Sequence, residues 1–314
     1  MKDIVIVGAG AMGSLFGARL VEAGAAVTLV DVDEARISLI NHQGLLLVDD
    51  HGERRVSIRA SHAREFSGPV DLVMLFTKGL HSRAAVQSVA HLAGLQPVAL
   101  TLQNGIGNAE ILAETFGPDR VLVGTAHVPA DIEPPDRVIS HGFARVHLGG
   151  FTEAAQPYAD AVAEILQKAK FEPIVTAKPF AAVWEKLAFN AALNALAMIT
   201  EARNGQMDNE AGLRIAQAIV EEAVAVARAR GIVLDAEAIR QTVKVALAKH
   251  PSHEASMLQD RRAGRPTEIE SINGAVARVG AELGVPTPIT STLADLVRVI
   301  EAKSAESGRQ GAKD

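Results

Sequence analysis

The stretch Ile4-Val5-Ile6-Val7-Gly8-Ala9-Gly10-Ala11-Met12-Gly13 decides the fold of the amino-terminal half. Its four leading apolar residues predict a short strand buried on both faces, as in a parallel sheet. A helix is predicted next, because apolar residues recur at helical spacing at Leu15, Phe16, Leu20 and Val21. The run Val27-Thr28-Leu29-Val30 then predicts a second strand, which ends at Asp31. Strand, glycine turn, helix, strand and acid together form the dinucleotide-binding fingerprint.

Each glycine of this turn has a physical role. Gly8 permits the tight turn, Gly10 lets the backbone approach a pyrophosphate, and Gly13 lets the helix pack closely against the strand. The phosphates would then contact the start of the helix, where backbone N–H groups are unpaired. The residues predicted to hold the cofactor are therefore Gly8, Ala9, Gly10, Ala11, Met12 and Gly13. The alternative is a glycine-rich turn in another kind of α/β protein.

Asp31 bears on the choice of cofactor. A carboxylate at the end of the second strand can accept hydrogen bonds from the ribose hydroxyls of NAD and would repel the 2′-phosphate of NADP. Asp31 therefore favours NAD(H). The alternative is that Asp31 caps the next helix, a role for which Asp33 is equally suited. Arg36 lies close enough in sequence to leave the choice of cofactor open.

Composition limits the classes of protein to consider. The chain has 314 residues, 48% of them hydrophobic and 22% charged, with a net charge of −6 and no cysteine. These values are typical of a globular protein of two domains. They indicate neither a nucleic-acid partner nor a membrane partner, and they exclude thiol catalysis and cysteine-ligated metals. Because Met1-Lys2-Asp3 leads directly into the first strand, we expect no signal peptide and a cytoplasmic location.

The pattern of predicted elements changes near residue 178. Residues 1–177 alternate apolar strands with helices, which predicts a Rossmann-type α/β domain with a parallel sheet. Residues 178–314 show only helical periodicity and predict an all-α domain. Its predicted helices are Phe180–Thr200, Glu210–Arg230, Ala236–Lys249, Thr267–Leu283 and Thr290–Ala302.

Three polar residues interrupt the otherwise apolar helix Phe180–Thr200. Lys186, Asn190 and Asn194 are spaced by four, which places them within about 80° on one face. Burying an amine and two amides costs several kcal/mol unless they have partners. The stripe is therefore either a structural network or the wall of a site, and we favour a site.

A second polar group lies in residues 256–270. Thr267 and Glu270 have the spacing of a capping box, which gives Glu270 a structural role. Glu268 is left undecided, because an acid in the first turn of a helix is also favoured by the helix dipole. The histidines provide no third ligand at suitable spacing, so we expect no metal site.

These motifs resemble the ketopantoate reductase family. The resemblance rests on Gly8-x-Gly10-x-x-Gly13, Lys78, Asn104-Gly105, Trp184-x-Lys186-Leu187-x-x-Asn190-x-x-x-Asn194, Ser256-Met257-x-Gln259-Asp260 and Thr267-Glu268-Ile269. It runs from Met1 to about Leu296. It implies a Rossmann domain and an α-helical domain with the active site in the cleft between them.

The resemblance also implies roles for single residues. Lys186 resembles the family's catalytic lysine, which polarises the carbonyl and donates the proton. Glu268 resembles its catalytic acid, and Asn190, Asn194 and Ser256 resemble its substrate-binding residues. Asn104 and Lys78 match positions that line the nicotinamide end of the cofactor site, and the resemblance also places Asn104 among the substrate-binding residues. Asn104-Gly105 is also a good turn sequence, and Lys78 could be a solvated loop residue.

The expected activity is reduction of a 2-keto acid, 2-dehydropantoate first, to the 2-hydroxy acid. The family implies NADP(H) and a homodimer, whereas Asp31 departs from its usual basic residue and favours NAD(H). An NAD-dependent D-2-hydroxy acid dehydrogenase on the same scaffold is the alternative, because it would share the lysine and both asparagines. The third hypothesis is a non-catalytic protein that senses a dinucleotide.

Overall fold

The computed structural model describes the backbone of residues 1–310 and the side chains up to residue 304. Residues 311–314 of the predicted all-α domain lie outside the described residues. The chain divides into two compact units. The first contains Met1–Gln103 and Gly107–Ala182, and the second contains Val183–Asp314 together with the short segment Asn104–Ile106.

The first unit is built on an eight-stranded sheet of order β12-β11-β8-β7-β6-β1-β2-β5. Its strands are β1 (Asp3–Val7), β2 (Ala26–Val30), β5 (Arg59–Ser61), β6 (Leu72–Leu75), β7 (Val98–Thr101), β8 (Val121–His127), β11 (Arg145–Gly150) and β12 (Glu172–Val175). Strands β5, β2, β1, β6, β7 and β8 pair in parallel. The central strands β6 and β7 are buried throughout, as their continuous apolar sequences predict.

Five helices accompany the strands of the first unit. They are α1 (Ala11–Glu22), α2 (Glu34–Gln43), α3 (Ser82–Ser88), α4 (Asn108–Phe116) and α5 (Gln156–Lys168). Side chains of α1 and α5 pack with the strands in one apolar core, in which the ring of Phe16 stacks on that of Phe171 with centroids 4.1 Å apart. This alternation of strands and helices confirms the predicted Rossmann-type class.

The sheet differs from the predicted one in two respects. Strand β11 runs antiparallel to β8, so the sheet is mixed at that edge. A second, four-stranded sheet of order β4-β3-β10-β9 is formed by β3 (Leu45–Asp49), β4 (Gly52–Val56), β9 (Asp131–Glu133) and β10 (Arg137–Ser140). The alternating burial of β3 is typical of a sheet with one covered face, and its partner β10 lies some 90 residues away in sequence.

Helices are the regular elements of the second unit within its described residues, and turns and loops connect them. Its helices are α6 (Pro179–Thr200, which begins in the first unit), α7 (Asn204–Met207), α8 (Glu210–Ala229), α9 (Ala236–Lys249), α10 (Ser256–Arg262), α11 (Asn273–Leu283) and α12 (Pro288–Gln310). They enclose a separate apolar core around Trp184, which is 1% exposed. In residues 1–310, no helix has the length and apolar character needed to cross a membrane.

The helix predicted from Thr267 is wrong at its start, because α11 begins only at Asn273. Residues 267–272 instead form turns, with the N–H groups of Ser271 and Ile272 donating to the carbonyl of Glu268. The carbonyl of Ser271 accepts the N–H of Ile106 at 3.3 Å and is therefore not directed along a helix axis. The predicted capping role of Glu270 is also wrong, since its carboxylate pairs with Arg298 at 2.7 Å.

The close approach of α1 to β1 depends on Gly13. A Cβ on Gly13 would lie 1.9 Å from the carbonyl oxygen of Gly8, whereas a Cβ on Gly10 would meet no heavy atom of the described residues within 4 Å. We predict that Gly13→Ala destabilises the chain by about 3 kcal/mol or more in urea unfolding, because the clash is with backbone and cannot relax by a rotamer change. Gly10→Ala is the matched control and should cost under about 1 kcal/mol. Equal stabilities of the two variants would contradict this packing.

Candidate functional site

The glycine turn of the first unit is shaped to receive an anion. Gly8 follows β1 with a φ of +103°, a conformation that L side chains rarely adopt. Gly10 is the N-cap of α1, and within the described residues no side chain caps this helix and no acid lies in its first turn. The N–H groups of Ala11, Met12 and Gly13 therefore begin the helix at the positive end of its dipole. The open space beside Gly10 leaves room for a phosphate to approach them.

Asp31 lies next to this turn and is held by three backbone donors. Its Oδ2 accepts the N–H of Ala9 at 2.6 Å, and its Oδ1 accepts those of Val32 at 2.7 Å and Asp33 at 3.1 Å. The N-cap of α2 is Asp33, which accepts the N–H of Arg36. Asp31 is therefore not the helix cap and remains partly exposed beside the glycine turn.

A groove of about 730 Å³ runs along the carboxyl ends of the strands in the first unit. Ligands of open α/β sheets bind at this edge. The groove brings together three of the predicted cofactor residues, Gly8, Gly10 and Asp31, with Lys78. Lys78 is half-buried and precedes the short turn Gly79–His81. The turn and the uncapped helix start present backbone donors to an anion, and the groove lined by Gly10 also reaches Lys78.

The polar stripe of α6 lies in the second unit. Asn190 and Asn194 are 9% and 5% exposed, and Lys186 is half-buried. The amide of Asn194 donates to the hydroxyl of Ser256 at 3.2 Å, at the exposed start of α10. The structure thus brings Ser256 to the stripe from 62 residues away, as predicted for residues of one site.

Glu268 and Asn104 also meet in the second unit. The side-chain amide of Asn104 donates to Oε2 of Glu268 at 3.0 Å. This contact requires the segment Asn104–Ile106 to lie against the turn 268–271. Gly105 makes that possible, because a Cβ there would lie 2.2 Å from the carbonyl oxygen of Ser271, and its φ is +83°.

The surroundings of Lys186 change its acidity. Burial lowers the pKa of Lys186 to about 8, and the negative charge of Glu268 acts in the opposite direction. An amine with this pKa is mostly protonated at pH 7 and can still release its proton, which suits a general acid. Glu268 therefore acts on Lys186 through its charge and binds Asn104 through a hydrogen bond. Asn190 and Asn194 lie on the face of α6 that carries Lys186, and Ser256 bonds to Asn194.

Sequence reasoning gave no role to two buried amides. The side chain of Gln103 donates to the carbonyl of Thr77 at 2.5 Å and to the hydroxyl of Ser82 at 2.9 Å, which fixes the backbone next to Lys78. Asn273 is fully buried and donates to the carbonyl of Ala191 on α6 at 2.9 Å. A signal existed for Gln103, since it is polar and directly follows a buried strand. Asn273 carried no comparable signal.

Comparison with known proteins matches almost the whole chain. The family model described as "Ketopantoate reductase PanE/ApbA" matches residues 4–153, and the model of that family's C-terminal part matches residues 180–301. A curated relative, the 2-dehydropantoate 2-reductase of Halobacterium salinarum, is 35% identical over 95% of this chain and 98% of its own.

Solved structures share the fold over both units. A ternary structure of D-mandelate dehydrogenase with NADH and anilino(oxo)acetate has a TM-score of 0.92 at 27% identity, covering 97% of this chain and all of that one. A PanE/ApbA family ketopantoate reductase from Ralstonia eutropha JMP134 has a TM-score of 0.89 at 29% identity, with 97% and 100% coverage.

Proposed function

We propose that this chain, which belongs to the ketopantoate reductase family, reduces a branched 2-keto acid with a nicotinamide cofactor. 2-Dehydropantoate is the first candidate substrate, with (R)-pantoate as its product. The curated relatives named 2-dehydropantoate 2-reductase support this choice of substrate. The observation that carries the proposal is the half-buried amine of Lys186, whose pKa is lowered by burial and raised by the negative charge of Glu268.

The chemistry follows from what each side chain can do. When held at the glycine turn, the nicotinamide cofactor would supply a hydride to the keto carbon. As negative charge develops on the carbonyl oxygen, the ammonium of Lys186 stabilises it and donates the proton that completes the alcohol. Glu268 raises the pKa of Lys186 and so keeps the amine charged against the effect of burial. Its own orientation is supported by the amide of Asn104.

The remaining polar residues suit the rest of a 2-keto acid. Asn190 and Asn194 present amide donors and acceptors on the face of α6 that carries Lys186, and Ser256 adds a hydroxyl beside Asn194. We assign these three side chains to the substrate's carboxylate and hydroxyl groups. A buried amide that faces no substrate oxygen would lose hydrogen bonds, so this arrangement selects polar, oxygen-rich acids.

Residues 1–177, which contain most of the first unit, are the proposed dinucleotide-binding domain, and residues 178–314 are the proposed substrate domain. Gly8, Ala9, Gly10, Ala11, Met12 and Gly13 would hold the pyrophosphate, and Lys78 and Asn104 the nicotinamide end. NADH is the preferred cofactor in this proposal, because Asp31 borders the groove at the end of β2. The homodimer and the cytoplasmic location stay predictions.

The pKa of Lys186 leads us to predict that the rate of reduction depends on pH. The proton donor is present below its pKa of about 8, so kcat/KM should be level at lower pH and fall about tenfold per pH unit above it. Glu268→Gln removes the charge that raises this pKa, so the decline should begin at lower pH. The measurement is kcat/KM for keto-acid reduction between pH 6 and 10 in both proteins.

Lys186→Arg is the matched control for this profile. Arginine keeps its charge over the whole range, so any activity left in that variant should lack the alkaline decline. A wild-type profile that stays level to pH 10, or a decline that remains in Lys186→Arg, would contradict the role of Lys186 as proton donor.

The position of Asp31 leads us to predict a preference for NADH over NADPH. Asp31→Asn removes the charge that would repel a 2′-phosphate and keeps one oxygen acceptor, so it can retain the backbone donors on one side of Asp31, either Ala9 or Val32 and Asp33. We expect the ratio of kcat/KM for NADH to that for NADPH to fall about tenfold, as for the loss of one close charge repulsion in a partly exposed site. Asp33→Asn is the matched control, because Asn also caps helices and Asp33 does not line the groove.

The control should leave that ratio within about twofold of the wild-type value. An unchanged ratio in Asp31→Asn, or an equal change in both variants, would show that Asp31 has only a structural role.

An NAD-dependent D-2-hydroxy acid dehydrogenase is the second candidate. The D-mandelate dehydrogenase structure supports it, since that protein was solved with NADH and matches this chain with a TM-score of 0.92. The chemistry at Lys186 would be the same, and only the shape of the substrate would differ. A dinucleotide-sensing protein without activity is less favoured, because a half-buried amine with a lowered pKa has no use in it.

A further inference from the structure

We propose that Arg36 is a positioning residue of the glycine turn and not a ligand of the cofactor's 2′-phosphate. The inference rests on the proposed dinucleotide binding and adds a residue to it. Arg36 lies in the first turn of α2, and its side chain reaches back over the start of α1. A basic residue this close to the end of β2 is the kind of residue that binds the 2′-phosphate of NADP in dinucleotide-binding domains.

The guanidinium already donates to three acceptors of the first unit. Its Nε donates to the carbonyl of Ala9 at 3.3 Å, its Nη2 to the hydroxyl of Ser14 at 3.1 Å, and its Nη1 to the carbonyl of Pro135 at 2.6 Å. The hydroxyl of Ser14 in turn donates to the same Ala9 carbonyl at 2.9 Å. Turning Arg36 toward a phosphate would break these bonds.

Ala9 is therefore held on both sides by charged groups. Its N–H donates to the carboxylate of Asp31 at 2.6 Å, while its carbonyl accepts from Arg36 and Ser14. Ala9 is only 2% exposed, so a peptide group left without these partners would be costly. Asp31 and Arg36 together fix the one residue between the two glycines of the turn.

Fixing the two peptide groups of Ala9 matters because glycines flank this residue. Gly8 and Gly10 give the turn conformational freedom, and an unfixed turn would have to be ordered when the pyrophosphate binds. Arg36 removes that cost before binding. Since NADH and NADPH share the pyrophosphate, loss of Arg36 should weaken both to the same degree. A 2′-phosphate ligand would affect NADPH alone.

The test measures binding of NADH and NADPH separately, by titration of nicotinamide fluorescence, so that it does not depend on the keto acid. We expect Arg36→Gln to raise both dissociation constants about tenfold, leaving their ratio within about twofold, as for the loss of one to two hydrogen bonds. Turnover at saturating cofactor should stay within about twofold, since the bound turn has the same geometry.

Ser14→Ala is a second variant that is expected to fold, because alanine suits a helix interior. It removes the hydroxyl that donates to the Ala9 carbonyl and accepts from Arg36, and it should raise the dissociation constants of NADH and NADPH about threefold. The effects of Ser14→Ala and Arg36→Gln should be less than additive when combined, because both act on the Ala9 carbonyl.

Arg55→Gln is the matched control for charge. Within the described residues, the hydrogen bonds of Arg55 go to Asp136, beside Pro135, and to the carbonyl of Gln43, and not to the glycine turn. Its loss should leave both constants within about twofold of wild type. A rise in the NADPH constant alone in Arg36→Gln, or unchanged constants for both cofactors, would overturn the inference and leave the proposed function standing. Failure of the wild-type chain to bind either cofactor would contradict both.

Discussion

A positive charge that is partly withdrawn from water has to be compensated, and this constraint organises the second unit. Burial acts against the ammonium of Lys186 and lowers its pKa to about 8, while Glu268 acts to keep it charged. Glu268 can serve because residues 267–272 form turns instead of a helix. Those turns are held by the segment Asn104–Ile106, which binds Ser271 through its backbone and Glu268 through an amide. The acidity of one amine thus depends on a contact between segments about 165 residues apart in sequence.

In the first unit, the corresponding constraint concerns the binding of an anion. The uncapped start of α1 attracts negative charge, and the turn before it must keep its shape without a ligand. Asp31 holds the amide of Ala9, and Arg36 holds its carbonyl. In both units, residues of the proposed sites are oriented by neighbouring polar groups. Asp31 and Arg36 orient Ala9 in the first unit, and Asn104 orients Glu268 in the second. This arrangement places donors in advance of binding, which is the main way in which protein sites favour charged ligands.

Much of the fold and many of the candidate site residues could be predicted from the sequence, because the patterns that indicate them are local. The glycine turn, Asp31 and the stripe on α6 each depend on spacing within one or two elements. The start of α11 was predicted wrongly because the capping-box pattern of Thr267 and Glu270 is local, whereas the contact of Ser271 with Ile106 is not. The roles of Arg36 and Asn273 depend in the same way on acceptors that no spacing rule connects to them. The hairpin of β3 and β4 is a local pattern, but its pairing with β10 in a second sheet was not predicted, since β10 lies far along the chain.

The measurement that tests the proposed function most directly is a steady-state comparison of 2-keto acids with NADH and with NADPH. Ketopantoate, 2-ketoisovalerate and phenylglyoxylate share the carboxylate and the keto group, and they differ in the branch that only the substrate pocket can distinguish. We expect ketopantoate to have the highest kcat/KM, with NADH preferred over NADPH. A higher kcat/KM for phenylglyoxylate would assign the chain to the D-2-hydroxy acid dehydrogenases instead. Binding of NADH without turnover of any of the three acids would contradict an enzymatic role for Lys186.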